Sequence, residues 1–178
     1  MSDKGELISF NSSRFGITQI EPEKVITVPE GIIGFPQFRR YALLKPPGES
    51  SLFLWLHSLD NPDLAFILTD PLIFVPDFNI STEEPDLARL GLTGKNPPAL
   101  FVIVTVPADN PDKININLMA PLLFFSSDNT LYQIVIEKEI RPLRHYIFGE
   151  REKSANPGGN QTPDENEGGA GKNAGEVL

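Results

Sequence analysis

The sequence predicts a mostly β protein: a compact, antiparallel, β-barrel-like domain with one or two short helices. Three observations point there. Short runs rich in β-branched and aromatic residues recur through the middle of the 178-residue chain. Turn chemistry, such as PPGES, DNPD, ADNPDK and SSDNT, separates most of them. Helical periodicity is confined to one short stretch.

In chain order, the expected strands are Phe15–Ile20, Val25–Val28, Tyr41–Leu44, Leu52–Ser58, Leu64–Thr69, Leu100–Val106, Ile114–Leu118, Leu122–Phe125 and Leu131–Ile136. In ININL, alternation puts Ile114, Ile116 and Leu118 on one face. FVIVTV is apolar nearly throughout and predicts a strand covered on both sides. The helix is EPDLARLG. Pro85 sits in its first turn, Leu87 and Leu90 share a face, and Gly91 closes it. PQFRR offers a second short turn. Many short strands with so little helix predict a barrel or sandwich.

The domain spans residues 14–148. Residues 1–13 are polar and are expected to be flexible. Residues 149–178 form an acidic, Gly- and Asn-rich tail without an aromatic residue. Such a segment cannot bury enough apolar surface to offset its ordering entropy, so it is expected to be disordered.

Composition narrows the function. The chain has no cysteine, which excludes disulfides, thiolate zinc sites and cysteine nucleophiles. With two histidines, any metal site would be mostly oxygen. The net charge is -9 and the pI about 4.7. That balance repels phosphate backbones and favours basic partners, so no direct nucleic-acid binding is expected. MSDKGELISF holds no secretory signal, and the longest apolar run, Ala99 to Val106, falls short of the ~20 residues that span a bilayer. The expectation is a cytoplasmic protein without a membrane association.

LDNPDLAFILTDPLIFVPDF raises the question of its aspartates, Asp60, Asp63, Asp70 and Asp77. None lies at helical i, i+4 spacing from another, and no EF-hand pattern surrounds them. They are expected to end strands, to bind no metal or cofactor, and to line a barrel rim where a partner meets them. His57, in LWLHSL, is expected to be a half-buried structural histidine. Ser58 and Asp60 beside it lie on one contiguous stretch, which cannot supply triad geometry. No catalytic residue is expected. EGIIGFPQF lacks a P-loop lysine and Rossmann spacing, so Gly31 and Gly34 serve a tight turn.

RPLRHY gathers Arg141, Arg144 and His145, either as a solvated strand end or as a contact for a carboxylate. Of the phenylalanines, Phe35 and Phe74 lie beside turns and are expected in an exposed patch for a protein partner. The candidate partner-binding residues are Gly34, Phe35, Asp70, Pro71, Phe74 and Arg144.

Five stretches, PEGIIGFPQFRRYALL, LWLHSLDNPDLAFILTDPLIFVPDF, LFVIVTVPAD, ININLMAPLLFF and PLRH, follow in that order over about Phe15 to His145. Together they resemble the flagellar assembly factor FliW family. Two features depart from it: glutamine is more usual where His57 stands, and the tail extends past the common end. The resemblance implies a non-enzymatic cytoplasmic protein with a mostly antiparallel barrel-like fold. It implies two partners, newly made flagellin, held near its C-terminal end, and the RNA-binding regulator CsrA. Flagellin and CsrA would exchange, relieving repression of flagellin translation. An acidic chain suits the basic RNA-binding surface of CsrA. The free chain is expected to be monomeric. The alternatives are a self-associating barrel scaffold of other function and, less favoured, a small barrel hydrolase.

Overall fold

The computed structural model describes residues 6–46, 52–93, 97–137 and 144–147. The strands are β1 (Ile8–Ser12), β2 (Gly16–Ile20), β3 (Ile26–Thr27), β4 (Arg40–Leu44), β5 (Phe53–Ser58), β6 (Ala65–Thr69), β7 (Ala99–Thr105), β8 (Asn115–Ile116), β9 (Leu122–Phe125), β10 (Thr130–Gln133) and β11 (His145–Tyr146). Among the described residues the one α-helix, α1, is Pro85–Arg89. Three 3₁₀ turns, Pro22–Lys24, Pro71–Ile73 and Pro111–Lys113, each begin with a proline that presets φ.

Seven strands close a ring in the order β7, β6, β5, β4, β3, β10, β9 and back to β7. The closure is Ala99↔Phe124, Leu100↔Leu123 and Phe101↔Leu122. The second half of β7 carries β8, and β8 carries β11. Every pairing is antiparallel except β10 with β3 at Thr130↔Thr27. Closure leaves the ring without open sheet edges. All nine expected strands occur, with shifted ends, and the barrel expectation holds.

Period-two alternation sorts the side chains. Tyr41, Leu56, Leu68, Leu122 and Leu131 belong to the interior cluster, with Phe101 and Ile103 packed against it. The neighbours of those two on β7, Val102 and Val104, join a second cluster with Ile116, Leu118 and Phe78. The first four residues of FVIVTV are thus covered on both faces, as predicted, whereas Thr105 and Val106 at its end are exposed. Leu123 and Phe125 meet Leu92, Ile134, Leu87 and Leu90. Each such fully buried side chain contributes roughly 1.5–3 kcal/mol.

The helix ends as its sequence predicts. The Leu92 N–H donates to the Leu87 carbonyl at 2.8 Å and the Gly91 N–H to Ala88 at 3.1 Å, with Gly91 at φ 64. Both bonds of a Schellman cap are present.

The N-terminus corrects an expectation. Residues 8–12, read as part of a flexible segment over 1–13, form β1 and pair with β2 from Ile8↔Ile20 to Ser12↔Gly16. The reason is alternation: Ile8 and Phe10 interleave with Ser9 and Asn11. Phe10 and Ile20 then pack on Ala42 of the barrel's outer face. The same hairpin corrects His57. It is wholly buried rather than half-buried, with the Phe10 and Phe15 rings 5.4 and 6.4 Å away. The tail over 149–178 and Arg141 lie outside the described residues.

Candidate partner-binding site

The loop after Val28 is built by glycine. Gly31 has φ 71, and a Cβ there would stand 2.6 Å from the Pro36 Cα. No other residue fits so close an approach in that backbone region. The Phe35 N–H donates to the Ile32 carbonyl at 2.7 Å and closes the turn. Ile32 is buried, and Gly34, at φ 90, is exposed at the tip. The Ile33 N–H donates to Gln133 Oε1 at 2.8 Å, while Gln133 Nε2 donates to the Ala120 carbonyl at 3.2 Å. The loop is thereby pinned to the barrel. It holds Ile33 59% exposed and Phe35 37% exposed, the latter edge-on to Phe66 at 5.6 Å.

Between this loop and residues 133–137 runs a groove of about 450 Å³. Helix α1 supplies Asp86 and Arg89 to it. Arg89 donates from Nε to Asp86 Oδ1 at 2.8 Å and from Nη1 to the two Glu30 oxygens at 2.8 and 3.0 Å. Asp86 Oδ2 accepts the Val135 N–H at 2.8 Å, and the buried Glu84 accepts the Glu137 N–H at 3.0 Å. The intervening Ile134 and Ile136 N–H groups donate to the Pro121 and Met119 carbonyls. Partial burial pushes the Asp86 carboxyl up, but the Val135 N–H and the Arg89 guanidinium together outweigh it and hold the group below its usual value. The Glu30 and Asp86 carboxylates raise Arg89 further.

The second predicted region follows β6. Asp70 Oδ1 accepts the Leu72 N–H at 2.9 Å and caps the turn over Pro71–Ile73, so it ends the strand as expected. Pro71 is buried. Phe74 is half-buried against the cluster of Phe78, Val102 and Val104, which corrects its expected place in an exposed patch. The exposed apolar groups there are Leu72 and Ile73, at 44% and 46%. Three residues per turn put Pro71 and Phe74 on one side and the pair between them outside.

The predicted residues do not converge. Phe35 touches Phe66 early in β6, whereas Asp70 follows the strand's end, roughly 13 Å further along. Arg144 is exposed just before β11. Asp60 and Asp63 end β5 but make tertiary bonds too: Asp60 accepts Arg40 Nε at 3.0 Å, and Asp63 accepts the Ser13 hydroxyl. The local turn bonds come from Ser58 Oγ, which accepts the N–H groups of Asp60 and Asn61 at 3.1 Å, and from Asn61 Oδ1, which accepts the Asp63 N–H at 3.0 Å.

Sequence reasoning missed a second, apolar cleft of about 450 Å³ lined by Phe78, Ile80, Leu87, Leu92, Leu100 and Phe125. Its walls come from segments far apart in the chain, so no local pattern announces it. Among the described residues no group of His, Asp or Glu is placed to hold a metal ion, and no helix is long and apolar enough to cross a membrane.

These features define the class: a small, closed, mostly antiparallel seven-stranded β-barrel with a groove and a cleft on its outside. The family model described as FliW protein matches residues 9–147. Flagellar assembly factor FliW 2 of Desulfotalea psychrophila is 36% identical over 124 residues, covering 70% of this chain and 80% of that protein. Flagellar assembly factor FliW of Syntrophotalea carbinolica is 36% identical over 133 residues, 75% of this chain and 93% of that one. A crystal structure of the flagellar assembly factor FliW superimposes with a TM-score of 0.70 at 27% identity, covering 82% of this chain and all of the other. The chain belongs to the FliW family of flagellar assembly factors.

Proposed function

We propose that this chain is a cytoplasmic binding protein that takes flagellin and CsrA in exchange, so that free flagellin displaces CsrA and relieves its repression of flagellin synthesis. The observation that carries this reading is the groove beside Gly34. It is preformed, acidic at Glu30, Asp86 and Glu137, and edged by exposed aliphatic groups at Ile33 and Val135. An acidic surface complements a protein whose own surface is built to hold RNA phosphates. Leu72 and Ile73 on the turn after β6, and Phe35 on the groove's own loop, supply apolar contact suited to a partner recognised by burial rather than charge.

The test is chromatography of the full chain with CsrA, with flagellin and with both. Defined complexes with each, and loss of CsrA when flagellin is added, support the proposal. Binding to neither at micromolar concentration, or a stable ternary complex, overturns it. Concentration-dependent self-assembly alone points to the scaffold reading.

A further inference from the structure

The donors along residues 134–137 are fully committed. Ile134 and Ile136 donate inward to Pro121 and Met119, and Val135 and Glu137 donate outward to the Asp86 and Glu84 carboxylates. A sheet edge ordinarily invites an added strand through such donors. Here two acidic side chains already occupy them. What the groove still offers is side-chain chemistry. Val135 and Ile33 are exposed aliphatics, 37% and 59%, on its two walls. Three acidic residues, Glu30, Asp86 and Glu137, line it with one guanidinium, Arg89. Arg89 is already engaged by Glu30 and Asp86. Glu137 is exposed at the groove's end, where its backbone rather than its carboxylate is fixed.

We propose that this groove is a recognition site for an extended segment of a basic partner protein, one that sets an aliphatic side chain between Ile33 and Val135 and a lysine or arginine against Glu137 and Glu30. The segment is held by its side chains and does not extend the sheet. The inference rests on the functional reading above for the identity of the basic partner, and of the two partners named there it assigns this groove to the RNA-binding one. Charge complementarity selects a basic occupant. The rigid walls, set by the Gly31 turn and the Gln133 bridge, keep the ordering cost of binding low.

Two measurements on the full chain test it. In the first, backbone amide shifts are followed by NMR during titration with a blocked Lys-Val-Lys-Val peptide. Shifts concentrated at Ile33, Gly34, Val135 and Glu137 support the site. Shifts scattered over the acidic surface overturn it. In the second, binding of CsrA is compared for wild type, Glu137→Lys, Val135→Ser and, as a charge control on the turn over Pro111–Lys113, Asp112→Lys. Glu137→Lys should weaken binding about fivefold or more, as expected for reversing one or two exposed charge contacts, and Val135→Ser should weaken it by removing the aliphatic contact, with the control near wild type. Equal losses in the control would show that net charge acts, not the groove. Unchanged binding in the groove variants overturns the assignment. Peptide shifts in the groove without any CsrA binding keep the site and reject the partner reading.

Discussion

One carboxylate joins helix α1 to the segment after β10: Asp86 accepts the Val135 N–H on one oxygen and Arg89 Nε on the other, each at 2.8 Å. Its net shift is downward, so the sign is fixed. The stability it supplies is complete above the ordinary carboxylate value of 3.8 and is lost as pH falls through the lower folded value. Asp86→Ala leaves a backbone donor and a guanidinium without their shared acceptor and should cost about 1–3 kcal/mol. Asp86→Asn keeps an acceptor and should cost less. Thermal unfolding between pH 3 and 7 checks both: the acid-side loss in wild type should be shallower in Asp86→Asn.

Tyr41 gives the opposite limb. Its ring is interior and its hydroxyl has no hydrogen-bond partner. Burial first, and then the Asp60 carboxylate, push its pKa up to about 12. A raised folded value means stability is intact below the unfolded value near 10 and declines as pH rises toward 12. Tyr41→Phe should be within about 1 kcal/mol of wild type at neutral pH, because only an unpaired hydroxyl is removed. It should also lose that alkaline decline. Ultraviolet titration of the folded protein should show one of the three tyrosines ionising last.

Removing residues 1–13 tests the corrected N-terminus. If that segment were loose, its loss would be silent. Instead it takes away Phe10, and truncating a buried phenylalanine costs about 3–5 kcal/mol. It also exposes His57. The single tryptophan reports the event, since Phe15 packs edge-on to Trp55 at 5.7 Å and Arg14 lies 4.9 Å above its ring. Denaturant unfolding followed by Trp55 fluorescence should show a lower midpoint and an altered native spectrum.

These cases show where the sequence was legible. Strand existence, the helix and its Gly91 stop, and the double burial of Phe101 to Val104 follow from local period and turn chemistry, and all are present. β1 carries the alternation of Ile8 and Phe10, but two large apolar residues in a polar terminus are too few to mark a strand without the surface that Ala42 and His57 offer them. Among the described residues β11 pairs through His145 and Tyr146, too short for any periodic signal. Phe74 and its neighbours were misjudged for a different reason: a single 3₁₀ turn decides which of four consecutive apolar side chains face inward. Glu84 and Asp86 read as ordinary first-turn acids, and nothing local says that they bind the backbone of residues 135–137.

Gly31 and Gly34 separate two kinds of glycine. Gly31→Ala adds a methyl within 2.6 Å of backbone at positive φ, so the loop must move and the groove wall with it. Gly34→Ala meets nothing within 4 Å and carries only the left-handed cost of about 1–2 kcal/mol. The Gly31 variant should therefore be less stable and should lose binding of a basic partner. The Gly34 variant should keep most of both. Calorimetry with a binding isotherm for each variant distinguishes them.

The turn after β6 supplies the last prediction, which rests on the proposed flagellin contact. Ile73 is 46% exposed, and its removal breaks little of the core, so Ile73→Ser should alter stability by less than about 1 kcal/mol. Phe74 packs on the cluster of Phe78, Val102 and Val104, and Phe74→Ser should cost about 3 kcal/mol or more. A loss of flagellin binding in Phe74→Ser thus confounds folding with contact, whereas a loss in Ile73→Ser does not. If Leu72 and Ile73 form the apolar centre, Ile73→Ser and Leu72→Ser should each weaken flagellin, with little change on raising salt, because burial is not screened as charge is. CsrA binding by the same variants should stay near wild type, since the acidic groove lies beside the other end of β6. Titrations of both partners against folded Ile73→Ser, at low and high salt, decide the matter. Equal weakening of both partners would place them on one shared surface, and unchanged flagellin binding would remove this turn from the interface.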